Sequence, residues 1–248
     1  MIIVGDIGNT ETKICLIDKY NKIIKKINLN TKSMNQSLLL KSFSKLRLNK
    51  LYIKKVLFCS VVPKSFDKIK KFFNQKYKIK IYELKDLNLK ELINIKVNYK
   101  QIGSDRLANA ISVINEKNNY IILDFGTATT FDVLIKKTYH GGVIAPGVKL
   151  SLNTLSDRAS LIPNINLKKP NKVIGLNTIN AVRSGFFWGY AGLIDNIVNL
   201  IKKETKKSFK IIITGGFSDL FKKSIKTKVT LNKDITINGL IKAAILIK

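Results

Sequence analysis

The feature of this sequence that most constrains its fold is a turn that occurs twice. Near the N-terminus an apolar run, Met1 to Val4, enters Gly5-Asp6-Ile7-Gly8-Asn9-Thr10, and apolar residues resume at Ile14 to Ile17. In the second half Tyr120 to Leu123 enters Asp124-Phe125-Gly126-Thr127-Ala128-Thr129-Thr130, and Phe131 to Ile135 carries the pattern on. Each segment reads as a strand, a polar tip and a returning strand. Asp-x-Gly stands at matched places in the two halves, which predicts an internal duplication: two related α/β domains, 1–115 and 116–248.

Between these turns, strands and helices alternate. A third strand is expected at Lys22 to Ile27, a helix at Met34 to Leu46, a buried strand at Val56 to Val61, a helix around Ser65 to Gln75 after Pro63, and a strand at Lys78 to Tyr82. His140 to Gly147, with Gly141, Gly142, Pro146 and Gly147, reads as a loop. Asn177 to Lys203 is apolar at helical spacing, and Gly185, Gly189 and Gly192 fall near one face. Such a stripe suits close packing, either in the core or against a second subunit. The aromatics of that helix, Phe186, Phe187, Trp188 and Tyr190, read as packing residues. Ile211 to Ile213 is a last buried strand running into Thr214-Gly215-Gly216, and Asn238 to Leu246 is a closing helix.

Composition removes many chemistries. With two cysteines, Cys15 and Cys59, and the single His140, a disulfide framework or a Cys/His zinc site has too few members. A Ser-His-Asp triad would need His140, which reads as a loop residue. What is left is carboxylates, hydroxyls, backbone amides and cations, the equipment of phosphoryl transfer. The N-terminal residues lack a secretory signal pattern and no apolar run nears the roughly 20 residues of a membrane span, so the expected location is cytoplasmic, with no membrane partner. Lys and Arg number 45 against 16 Asp and Glu, a net charge of +29. That excess suits a nucleic-acid binder, but the lysines recur along the whole chain among Ile and Asn, which reads better as compositional bias.

Three strand ends carry the functional reading: Asp6-Ile7-Gly8-Asn9-Thr10, Asp124-Phe125-Gly126-Thr127 and Thr214-Gly215-Gly216. Glycine there lets backbone amides approach phosphate oxygens, hydroxyls add donors, and an aspartate can hold Mg²⁺ directly or through water. One such turn alone is usually structural. The matched pair, with a Gly-Gly turn in the second half, describes a nucleotide held between two domains.

In these motifs the chain resembles the type III pantothenate kinases of the acetate and sugar kinase/actin superfamily. The resemblance rests on DIGNTETK at Asp6 to Lys13, Cys59-Ser60-Val61-Val62-Pro63, Gly103-Ser104-Asp105-Arg106 with Asn109-Ala110, Asp124 to Thr130, Gly141 to Gly147, Leu161-Ile162-Pro163, Asn177-Thr178 with Ser184-Gly185, Thr214 to Gly216, and Gly239-Leu240. The turn between Tyr99 and Gly103 is shorter than the Asn-Pro-containing turn usual in the family. The resemblance implies an α/β fold of two duplicated ribonuclease H-like (actin-type) domains, with mixed sheets flanked by helices. It also implies transfer of the ATP γ-phosphoryl group to pantothenate in a homodimer.

The resemblance further implies residue roles. Asp105 is the expected base, Arg106 a donor to substrate or to phosphoryl charge, and Tyr99, Gly103, Ser104 and Thr178 line the pantothenate site, Thr178 serving the neighbouring subunit. Asp6, Ile7, Gly8, Asn9, Thr10, Glu11, Thr12 and Lys13 would hold ATP, with Thr127 from the second half. Asp6 would organise Mg²⁺ through water, and Asp124 would bind a monovalent cation, K⁺ or NH₄⁺. Read without the motif, Ser104 or Asp105 is a helix N-cap and Arg106 one more surface cation. Two other functions remain open: a catalytically inactive relative that binds nucleic acid or regulates, and a phosphotransferase acting on a sugar or carboxylate.

Overall fold

The computed structural model describes residues 1–45 and 53–247, so Leu46, the last residue of the first expected helix, and Lys248 lie outside the described residues. Strands β1 (Ile2–Ile7), β2 (Glu11–Ile17) and β3 (Ile23–Asn30) form a meander. Helix α1 (Gln36–Lys45), strand β4 (Lys55–Ser60), helix α2 (Pro63–Tyr77) and the short strands β5 (Tyr82–Glu83) and β6 (Asn94–Ile95) follow, and α3 (Ser104–Val113) closes this stretch. Next come β7 (Asn119–Phe125), β8 (Ala128–Ile135), β9 (Thr138–Pro146), α4 (Val148–Arg158), α5 (Thr178–Thr205), β10 (Lys210–Gly215), α6 (Ser218–Phe221), β11 (Val229–Leu231) and α7 (Ile235–Ala243).

The duplication is visible in the strand orders, β3-β2-β1-β4-β5 in one sheet and β11-β10-β7-β8-β9-β6 in the other. In each, an antiparallel hairpin, β1–β2 or β7–β8, sits beside a parallel neighbour, β4 or β10, on the hairpin's first strand. The chain divides into two compact units. Unit 1 comprises Met1–Ile114, Lys137–Tyr139 and Asp234–Lys248; unit 2 comprises Asn115–Lys136 and His140–Lys233.

Unit 1 is built on strands that are apolar on the buried positions. Ile3, Ile7, Ile14, Phe58, Ile69 and Phe73 are buried together, with Phe43 edge-on to Phe73 at 4.9 Å between ring centroids. Gly5 lies in mid-strand because a Cβ there would sit 2.0 Å from the Phe58 ring. The outer strand β3 carries its two lysines, Lys25 and Lys26, on exposed positions, which blunts an otherwise open edge. Helix α2 begins at Pro63, whose missing N–H costs nothing at a first helical position, and ends at Lys78 in a left-handed conformation (φ 54°). The strand expected at Lys78 to Tyr82 shrinks accordingly to Tyr82–Glu83.

In unit 2 the expected loop at His140 to Gly147 is instead most of strand β9, with His140 inside it. Its place beside β8 outweighs the poor strand propensity of Gly141 and Gly142, and Gly141 takes up φ 115° within it. Helix α5 buries Phe187, Ile194 and Val198, and Phe187 stacks on Phe221 at 5.5 Å. Among the described residues nothing stands within 4 Å of where a Cβ on Gly185, Gly189 or Gly192 would be, so this stripe does not pack in the described core.

Helix α7 follows unit 2 in the chain but packs in unit 1, against α3. A Cβ on Gly239 would fall 1.7 Å from the Ala108 carbonyl oxygen, so only glycine permits this approach. Buried Asn109 accepts a hydrogen bond from the Thr236 hydroxyl at 2.7 Å, and Lys242 donates to the Ser112 carbonyl. Because the obstacle at Gly239 is backbone rather than a flexible side chain, Gly239→Ala should cost about 1–3 kcal/mol of stability, read as a lower urea midpoint.

Candidate functional site

The first turn is closed by the Gly8 N–H, which donates to the Glu11 carbonyl at 3.0 Å. Asn9, Thr10 and Glu11 are exposed at its tip. The side chains of Ile7 and Thr12 are buried, and the Thr12 hydroxyl pairs with that of Thr31 at 2.9 Å. Within the ladder Asp6 faces Lys13, whose Nζ lies 3.9 Å from Asp234 Oδ1; Lys26 makes the shorter ion pair with the same oxygen at 2.5 Å.

Parallel pairing of β1 with β4 sets Cys59 beside Asp6, and the Cys59 thiol donates to Asp6 Oδ1 at 3.4 Å. Burial, and then the charges of Asp6 and Asp105, push the thiol well above its usual range, so it remains a donor. Asp6 is pushed up to about 6, first by burial and then by the Asp105 charge, while the Cys59 hydrogen bond and Lys13 pull it down.

Helix α3 presents the Gly103-Ser104-Asp105-Arg106 segment at its N-terminus. Gly103 is the N-cap residue, and a Cβ on it would stand 2.4 Å from Asp105 Oδ1. The glycine thus leaves room for the carboxylate, which also accepts the Arg106 N–H at 2.8 Å. Burial raises the Asp105 carboxyl; the Arg106 N–H and the Arg106 charge oppose that rise. Gly103 holds the cap position, and Asp105 serves the first turn from inside.

Ser104 is buried and donates to Glu83 Oε1 at 2.5 Å. Tyr99 opens a single 3₁₀ turn, 99–101, capped by Asn98 Oδ1, which accepts the Lys100 N–H at 3.1 Å. The Tyr99 hydroxyl donates to the Lys85 carbonyl at 3.0 Å, and Lys85 Nζ donates to the Ile102 carbonyl at 3.0 Å. Unit 1 therefore brings Asp6, Ser104, Asp105 and Arg106 into one neighbourhood and adds Cys59 and Glu83, two residues to which the sequence reading gave no role. Cys59 lay within a quoted motif; Glu83 lay in none.

In unit 2, Gly126 N–H donates to the Ala128 carbonyl at 3.0 Å, leaving Gly126 and Thr127 exposed beyond partly buried Asp124. Glycines crowd this turn: a Cβ on Gly147 would meet the Thr127 carbonyl oxygen at 2.1 Å, and one on Gly215 (φ 86°) would meet Asp124 Oδ1 at 2.6 Å. Gly216 N–H donates to the Phe125 carbonyl at 3.0 Å. Thr178 is exposed as the first residue of α5, after Asn177, whose side chain accepts the Asn180 N–H at 2.9 Å.

Among the described residues no three His, Cys, Asp or Glu side chains converge on a metal position. Mg²⁺ does not need such a cage, since it keeps waters and takes one or two carboxylates together with substrate phosphates. Asp6, a hard oxygen ligand beside a second carboxylate, fits that requirement. Asp124 offers an oxygen ligand of the kind a monovalent cation takes, beside a bare Gly215.

The family model for type III pantothenate kinases matches residues 2–200. A curated type III pantothenate kinase of Pelagibacter ubique (strain HTCC1062) is 76% identical over 248 residues, covering 100% of both chains. Among solved structures, a Campylobacter jejuni protein described as a Baf family transcriptional activator superposes with a TM-score of 0.61 at 18% identity, covering 97% of this chain and 96% of that one. A ROK family glucokinase of Streptomyces griseus, solved with glucose and AMPPNP, gives 0.56 at 13% identity, covering 99% and 98%. These two likenesses show the fold alone, the α/β architecture of duplicated ribonuclease H-like domains found in actin-type kinases. The sequence matches go further: this chain belongs to the type III pantothenate kinase family.

Proposed function

We propose that this protein transfers the γ-phosphoryl group of ATP to the primary hydroxyl of pantothenate, giving 4'-phosphopantothenate in the first step of coenzyme A synthesis. The observation that carries this reading is the Asp105–Arg106 pair at the start of α3, in the same unit as Asp6, in a chain of this family.

An alcohol attacks phosphorus poorly until its proton has an acceptor. Asp105 accepts that proton and, in a loose transition state, mainly aims the hydroxyl. Arg106 meets phosphoryl charge with a rigid fork of donors. The Asp6–Lys13 turn cradles phosphate, and Asp6 would hold Mg²⁺, which would supply charge neutralisation on the phosphates. Thr127 contacts phosphate, and Asp124 holds K⁺ or NH₄⁺. Tyr99, Gly103 and Ser104 line the pantothenate side.

A homodimer, with Thr178 serving the neighbouring subunit, is supported by the uncovered glycine face of α5 and by exposed Leu161, Val173, Ile174 and Leu176 in the same unit. No described helix is long and apolar enough to cross a membrane, in keeping with a proposed cytoplasmic location. Three carboxylates in the unit 1 site, Asp6, Glu83 and Asp105, suit a cation-bearing nucleotide better than a nucleic-acid backbone.

An ADP-release assay with ATP, Mg²⁺ and pantothenate tests the proposal: turnover should require pantothenate, and sugars should not replace it. Asp105→Asn should lower kcat by roughly 10²–10⁴-fold with nucleotide binding retained; an unchanged kcat would remove Asp105 from the reaction. Asp124→Ala should abolish stimulation by K⁺, and persistent stimulation would refute the cation assignment.

Asp6 adds a prediction without substrate. Its carboxyl titrates near 6 when folded against a reference of 3.8, so the folded state binds this proton more tightly. Ligand-free stability should therefore fall as pH rises from about 4 to about 6 and stay lower above. Asp6→Asn should flatten that slope and add at most about 3 kcal/mol at pH 7, measured by urea unfolding.

A further inference from the structure

Glu83 belongs to none of the family motifs in this chain, yet its carboxylate joins three segments. Strand β5 pairs in parallel with β4, and the register sets Glu83 opposite Phe58, two residues short of Ser60. From there Oε1 accepts the Ser60 N–H at 3.3 Å and the Ser104 hydroxyl at 2.5 Å, and Oε2 accepts the Lys85 N–H at 2.5 Å. Ser104 is the first residue of α3, and Asp105 is the second.

The other side of Gly103 is tied to the same segment. Lys85 Nζ donates to the Lys100 and Ile102 carbonyls at 3.2 and 3.0 Å and lies 5.2 Å from the Tyr99 ring centroid. Residues 83–85 therefore hold both flanks of Gly103, the N-cap residue of α3. Burial raises the Glu83 carboxyl, while the Ser104, Lys85 and Ser60 donors pull it back, so those three contacts are what keep a carboxylate acceptable here.

We propose that Glu83 is a positioning residue for the phosphoryl transfer: through Ser104 it fixes the first turn of α3 and with it the aim of the Asp105 carboxylate. This rests on the reading of Asp105 as the base. Glu83 touches no substrate in this account. Its effect reaches the reaction only through Asp105, because a displacement of about 1 Å at a reacting group can cost as much as 10²-fold in rate.

The experiment measures kcat, with ATP and pantothenate saturating, for Glu83→Gln and Ser104→Ala singly and together, and for Glu83→Gln in an Asp105→Asn background. Each single variant should lower kcat roughly 10- to 100-fold with the KM for ATP within about twofold of wild type. The pair should be no worse than the worse single variant, since Ser104→Ala removes the linkage that Glu83→Gln weakens by turning one of its acceptors into a donor. In the Asp105→Asn background Glu83→Gln should leave the residual rate unchanged, whereas a merely structural role would lower it again by the same factor. Wild-type kcat in both single variants, or an equal drop in the Asp105→Asn background, overturns the proposal. Should Glu83→Gln fail to fold, Glu83→Asp, which keeps the charge but shortens the reach to Ser104, is measured alone and in the Asp105→Asn background, with the same outcomes expected. Failure of the underlying reading has a different signature, full activity in Asp105→Asn itself.

Discussion

Three carboxylates, Asp6, Glu83 and Asp105, sit where the strand ends of unit 1 meet the start of α3, and burial raises all three. Much of the local structure answers to that constraint. Cys59 donates to Asp6, Ser104 and two backbone N–H groups donate to Glu83, and the Arg106 N–H and charge oppose the cost at Asp105. Gly103 is bare because the Asp105 oxygen occupies its side-chain space. A carboxylate cluster of this kind would be stabilised by a cation brought close to it.

The carboxylate site also depends on a distant part of the chain. Helix α3 carries Asp105 on its first turn and packs along its length on α7, which the chain reaches only after completing unit 2. Gly239 lets the two backbones meet, and Asp234, just before α7, pairs with Lys13 of β2 and Lys26 of β3. Contacts of the last helix and of the residue before it thus reach both α3, which carries Asp105, and the strands beside Asp6. The lysines, for their part, include exposed positions on the outer strand β3, where positive charge discourages edge pairing.

Much of this was legible in the sequence because local chemistry dictates it. The Asp6 and Asp124 turns, the Gly103-Ser104-Asp105-Arg106 segment and α5 from Asn177 onward need particular residue types at fixed spacing, and each stands in a local form that suits that chemistry. Non-local pairing hid the rest. Strand β9 reads as a loop because Gly141 and Gly142 are poor strand formers, and it is its place in the sheet between β8 and β6 that makes the segment extended. Glu83 carries no motif because its partner Ser104 is 21 residues away and meets it only once β5 has paired with β4. The glycines of α5 pointed to close packing of either kind, and the open space around them excludes packing in the described core.

The destination of the transferred group tests the central claim most directly. A ³¹P NMR spectrum of the mixture after reaction of ATP, Mg²⁺ and pantothenate with this protein should show one new phosphomonoester, split by the two protons of an adjacent methylene group and formed in step with ADP. ADP accompanied only by inorganic phosphate, or formed at the same rate without pantothenate, would contradict the account.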